Sequence, residues 1–139
     1  MILRRATPDD VPRILEIRAE VRENRLADPA AVRRPQVLAF IDRGRIHVAG
    51  AAAGVDGFSA ANPEDGFLWA LFVAPRAEGR GLGGALLAAA LDDLRAAGLS
   101  RARLETDPGT RAEAFYRRRG WTELGLNDKG EMLMELALT

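Results

Sequence analysis

The chain contains no cysteine, one histidine (His47), one lysine (Lys129) and one tyrosine (Tyr116) in 139 residues. Each shortage removes a class of chemistry. Without cysteine there is no disulfide framework, no thiol nucleophile and no thiolate metal site. A lone histidine with no neighbour at ligand spacing predicts no metal centre. Lys+Arg 20 balances Asp+Glu 20, so no nucleic acid or bulk anionic partner is expected, and any positive potential must be local. Long apolar runs are missing too. The start, Met1-Ile2-Leu3-Arg4-Arg5, turns polar at once, which predicts neither a signal-peptide core nor a membrane span. A cytoplasmic setting is the resulting expectation. The length suits a single domain, residues 1–139, with one core.

The stretch with the most information lies mid-chain. An apolar run, Phe67 to Val73, enters Ala74-Pro75-Arg76-Ala77-Glu78-Gly79-Arg80-Gly81-Leu82-Gly83-Gly84, and an Ala/Leu-rich amphipathic run leaves it. A strand that passes through glycines into a helix presents unpaired N–H groups at the positive end of a helix dipole, which is a phosphate cradle.

Around that stretch the chain reads as alternating elements. Ile2 to Arg5 is a short strand. Thr7-Pro8-Asp9-Asp10 opens a helix, with Thr7 as N-cap and Val11, Ile14, Leu15, Arg18 and Val21 on its inner face. Arg22 to Ala27 is a polar loop, and Asp28-Pro29 starts a second helix that Pro35 breaks or restarts before Val37 to Ile41. Ile46 to Ala51, Val55 to Ala61 and Phe67 to Val73 form an antiparallel meander, the last strand near-continuously apolar and so expected to be buried on both faces. A helix from about Leu82 buries Leu86, Leu91 and Leu94 and turns Asp92, Asp93 and Arg95 to water. Ala102 to Thr106 follows by a crossover, parallel to the strand before it. Thr110-Arg111-Ala112-Glu113 is a capping box. Trp121 to Leu126 and Met132 to Leu138 close the chain as a hairpin. His47, Trp69, Trp121, Met132 and Met134 read as packing residues, and Arg117-Arg118-Arg119 as complement to a helix dipole.

Three glycine motifs compete for the loop. Gly79-x-Gly81-x-x-Gly84 matches the dinucleotide fingerprint, and Glu105 follows at about 20 residues, as that motif requires. The match fails because five residues, Ala74 to Glu78, separate strand from glycines, and because the chain lacks the further βα units. A Walker A loop fails because Ala85 and Leu86 stand where Lys and Ser/Thr are needed.

The third motif fits. Phe72-Val73-Ala74-Pro75-Arg76-Ala77-Glu78-Gly79-Arg80-Gly81-Leu82-Gly83, followed in order by Ala112-Glu113-Ala114-Phe115-Tyr116-Arg117-Arg118-Arg119-Gly120-Trp121, resembles the acyl-CoA loop and second signature of the GNAT (general N-acetyltransferase) superfamily. The likeness covers nearly the whole chain. It departs at Glu78, where the family usually has Gln or Arg, and at Gly109, where an Asn is frequent.

The resemblance implies an α/β (α+β) fold: a mixed, mostly antiparallel sheet of six to seven strands with a central splayed parallel pair, flanked by four helices. It implies acetyl-CoA as acyl donor, no metal, a small-molecule or protein amine as acceptor, and a possible homodimer. Phe72, Val73, Gly79, Arg80, Gly81, Leu82, Gly83 and Gly84 would hold the cofactor. Tyr116 would sit beside the CoA sulfur and give a proton to the leaving thiolate; its alternative is a core aromatic bonded to backbone. Glu105 is the candidate base, with Asp107 or a water as alternatives and a solvated strand end as the plain reading. Glu23, Asn24 and Arg25 fall in the loop that lines the acceptor site in this family, or are a solvated loop. A non-catalytic acyl-CoA-binding module of the same fold is the alternative function.

Overall fold

The computed structural model describes residues 1–21, 33–51 and 54–138. Its elements run β1 (Ile2–Arg5), α1 (Val11–Glu20), α2 (Arg34–Asp42), β2 (Ile46–Gly50), β3 (Gly57–Asn62), β4 (Phe67–Val73), α3 (Leu82–Ala96), β5 (Arg101–Thr106), α4 (Arg111–Arg118), β6 (Thr122–Leu126) and β7 (Met132–Ala137). The order is the one the sequence predicts. Among the described residues the strands form one seven-stranded sheet in the order β1-β2-β3-β4-β5-β7-β6. Only β4 and β5 are parallel; every other neighbouring pair is antiparallel.

Two cores sandwich this sheet. On one face α3 and α4 bury Leu87, Leu91, Leu94, Leu104, Tyr116, Trp121 and Met134. On the other, α1 and α2 bury Val11, Ile14, Ile17, Val37, Ile41, Phe58 and Phe72. Ile17 belongs to the α1 stripe, whereas Leu15 and Val21 are only half-buried, so the helix is rotated slightly from the expected face.

Strand β4 departs from a regular, twice-buried strand. Its alternate residues are half-buried, and its pairing with β3 jumps from Ala60↔Ala70 to Ala61↔Leu68. Trp69 is therefore an extra residue, a β-bulge, stacked on Phe40 of α2 with ring centroids 4.4 Å apart. The bulge changes sides: Leu68 packs with the α3 face, Ala70 and Phe72 with the α1 face.

Helix starts follow local chemistry. Pro35 lies in the first turn of α2 and opens that helix rather than breaking it, since a first-turn N–H has no intrahelical acceptor to lose. The Asp28-Pro29 start lies outside the described residues. Before α1, a short 3₁₀ turn (Pro8–Asp10) is locked by the buried Asp10 carboxylate. That carboxylate accepts from the Thr7 N–H at 2.8 Å and from both Arg4 terminal nitrogens at 2.8 and 2.9 Å. Asp93 is turned from the expected solvent side to β2. It accepts from Arg5 and lies 2.8 Å from Nε2 of buried His47, tying α3 to β1 and β2. Among the described residues no helix is long and apolar enough to cross a membrane.

These carboxylates set the acid limit of the fold. The Arg4 hydrogen bonds hold Asp10 below the usual range; burial opposes ionisation of Asp93, but its bonds to Arg5 and His47 outweigh it and lower the pKa. A depressed folded-state pKa gives stability that is present above the unfolded value, about 3.9, and is lost as pH falls through the folded value. Urea midpoints should therefore drop steeply below about pH 4. Asp10→Asn should cost about 1–2 kcal/mol at pH 7 and flatten that drop; an unchanged acid limb would contradict the assignment.

Candidate active site

The bulge has a direct consequence for the centre of the sheet. The parallel ladder between β4 and β5 is registered at Phe67↔Arg103 alone, with Arg103 N–H on the Gly66 carbonyl at 2.9 Å. Beyond Phe67 the strands splay, and the β5-facing edge of β4 toward Val73 has no strand partner among the described residues. A cleft of about 410 Å³ begins at this wedge and runs to the glycine loop.

The loop is built to leave its N–H groups uncovered. After β4 a 3₁₀ turn (Pro75–Ala77) lifts the chain, and Gly79 and Gly81 take φ of +80° and +83°, which side-chain-bearing residues rarely adopt. Gly81 is the N-cap of α3 and, lacking a side chain, makes no cap bond. The first-turn N–H groups of the 15-residue helix α3 thus point outward at the positive end of its dipole. Gly83 also lets the Phe115 ring of α4 approach: a Cβ there would lie 3.3 Å from Phe115 Cε1.

Of the residues expected to hold the cofactor, Phe72, Val73, Gly79, Gly81, Leu82, Gly83 and Gly84 all line the cleft. Arg80 is exposed and does not. Tyr116 lines it from α4, wedged edge-on between Phe115 and Trp121 at centroid distances of 5.2 and 5.6 Å. Burial pushes its phenol pKa far up, so the hydroxyl stays protonated at any ordinary pH. No hydrogen bond ties that hydroxyl to the described residues, unlike a structural tyrosine bonded to backbone.

Glu105 is placed elsewhere. Residues Ala102, Leu104 and Thr106 of β5 face α3 and α4, so Glu105 is on the opposite, open face and outside the cleft. Its carboxylate accepts from Asn127 at 2.8 Å. Partial burial and then the neighbouring Glu131 charge raise its pKa. Asp107 is 4% exposed at the end of β5, and its carbonyl, rather than its carboxylate, accepts from the Thr110 hydroxyl at 2.7 Å. Thr110 caps α4 as expected, accepting from the Glu113 N–H; the Glu113 carboxylate reaches back to the Gly109 N–H at 2.8 Å. Glu23, Asn24 and Arg25 lie outside the described residues.

Several cleft residues were not among the expected site residues. Arg111, Phe115, Arg118 and Arg119 all line it. The arginine triplet divides: Arg117 pairs with Glu113 and Glu123, whereas Arg119 lies 3.7 Å over the Phe115 ring. Helical spacing from Tyr116 could have separated them, because only one side of α4 faces the glycine loop. Glu78, the carboxylate that sits oddly in a phosphate loop, forms an ion pair with Arg111 at the start of α4. The pair spans the cleft and neutralises the carboxylate. Replacing Glu78 by Gln removes the negative charge from the glycine loop, so affinity for CoA should rise several-fold, on the order of 1 kcal/mol, in calorimetry at low salt. Weaker binding by Glu78→Gln would show that the carboxylate itself helps.

Comparison with known proteins points one way. A model described as the acetyltransferase (GNAT) family matches residues 4–121. No curated protein matches the sequence. Among solved structures, the chain is similar to a PaiA N-acetyltransferase from Thermoplasma acidophilum in complex with coenzyme A, with a TM-score of 0.81, 17% identity and 98% of each chain covered. It is also similar to a ribosomal-protein-alanine N-acetyltransferase from Brucella melitensis, with a TM-score of 0.74, 25% identity and 99% of each chain covered. A putative acetyltransferase from Salmonella typhimurium with its cofactor acetyl-CoA has a TM-score of 0.77 at 22% identity, covering 100% of this chain and 94% of that one.

Proposed function

The chain belongs to the GNAT acetyltransferase family, and on that premise we propose that it transfers the acetyl group of acetyl-CoA to a primary amine. The observation that carries this reading is that one cleft joins the open edge of β4, the uncapped start of α3 and the Tyr116 hydroxyl.

Each part has a physical task. The N–H groups from Gly79 to Gly84 donate to the pyrophosphate oxygens of the acetyl donor, helped by the α3 dipole. The pantetheine amides pair with the free edge of β4, replacing the ladder that the splay removes. A backbone N–H at Phe72 or Val73 donates to the thioester carbonyl and holds the negative charge that develops on its oxygen. The neutral amine attacks the carbonyl carbon, the C–S bond breaks, and the amine proton leaves through a base or water. Tyr116 donates a hydrogen bond to the departing sulfur. Its burial keeps the phenol protonated and able to donate as the C–S bond breaks, and the thiolate takes its proton from Tyr116 or from solvent.

One observation favours the alternative of a binding module without turnover. Among the described residues lining the cleft, Glu78 is the only carboxylate, and it is tied to Arg111. Thiol release from acetyl-CoA across a panel of primary amines separates the readings: amine-dependent release supports transfer, and tight CoA binding with no release from any amine supports the module. In the first case Tyr116→Phe should lower kcat by about 10- to 100-fold while KM for acetyl-CoA stays within a few-fold. Full turnover by a folded Tyr116→Phe protein would remove the residue from the mechanism.

A further inference from the structure

The sheet face opposite α3 and α4 carries a charge that the donor site does not use. Helices α1 and α2 cover β1 to β4 there, and β5 shows Arg103 and Glu105 uncovered beside them. At the border, in the last turn of α1, stands Arg18, 9% exposed. Its Cζ lies 4.9 Å from the centroid of the Phe72 ring. Its Nε is sealed from solvent with no acceptor, and no hydrogen bond joins the guanidinium to any described residue. Burial works against its ionisation, and the charge of Asp107 favours it.

A guanidinium carries five N–H donors, and burying them without acceptors is costly. Packing does not demand it. Methionine or leucine would extend the apolar surface of Ile14, Ile17 and Phe72 at lower cost. Arg18 is also placed one Phe72 side chain away from the backbone to which the thioester is assigned above. A planar donor fork at that point matches a planar, two-oxygen anion.

We infer that Arg18 holds a carboxylate of the acceptor, so that the acceptor is a small amino acid, with its amine and carboxylate close together. This rests on the transfer reading above and specifies its substrate. An N-terminal residue of a protein presents an amide at the same place and would leave the fork unfilled.

The test compares, for each of the proteinogenic amino acids, the free acid, its amide and its decarboxylated amine as acceptors in the thiol-release assay. At least one free acid should exceed its own amide and amine in kcat/KM by about 10- to 100-fold, the worth of a charge-assisted pair. Arg18→Met should bring that ratio close to one through the KM of the acid. Arg18→Lys, which keeps the charge but not the fork, should retain part of it. Folding of both variants is checked by their melting curves. Acids no better than their amides overturn the inference and leave acetyl transfer standing, as does an Arg18→Met protein that loses activity equally on all three. Acetyl-CoA binding with no reaction from any of the amines overturns the transfer reading and this inference together.

Discussion

The site depends on a missing hydrogen-bond ladder. A sheet stabilises itself by pairing every interior strand on both edges. Here the central pair β4–β5 meets at one register point and then parts. Leaving backbone groups unpaired in the middle of a protein is costly, so the opening has to be enforced. The extra residue Trp69 enforces it: it is anchored by stacking on Phe40, and it bends β4 away from β5 while keeping β3–β4 paired on either side. The exposed strand edge is then available to a ligand able to act as a strand, and the amide-bearing pantetheine arm is such a ligand.

The ends of the wedge are polar for the same reason. The uncapped start of α3 supplies donors without acceptors, and buried Arg18 on the far face supplies a charge without hydrogen bonds among the described residues. Both are local energetic losses that a tightly packed protein would avoid. Their position on either side of one opening suits the proposed transfer, in which one face would take the phosphates of the donor and the other the charge of the acceptor. The apolar cores on its two faces hold the sheet between them.

Element order was readable from the chain because each transition has a local chemical marker. Gly66 and Pro63 end a strand, Thr110 and Glu113 start a helix, and alternation of Met132, Met134 and Leu136 defines the last strand. The glycine loop was readable from its glycines between strand and helix, and Tyr116 from the resemblance to the family's second signature; both line the cleft. The bulge at Trp69 was not, because it depends on how β4 pairs with β3, and the composition of Phe67 to Val73 is that of an ordinary buried strand. The Glu78–Arg111 pair was hidden for a similar reason: 33 residues separate its members, and only the packing of α4 against the loop unites them. Arg18 looked like one more stripe position. Its meaning comes from its burial against Phe72 with no acceptor for its Nε.

The central claim is that the splay between β4 and β5 is the seat of the thioester. A crystal structure of the protein with acetyl-CoA tests it most directly. The account predicts the pantetheine arm along the free edge of β4, the carbonyl oxygen within hydrogen-bond distance of the Phe72 or Val73 N–H, and the sulfur beside the Tyr116 hydroxyl. An acyl chain that leaves the wedge empty and runs over the outside of α3 would contradict it.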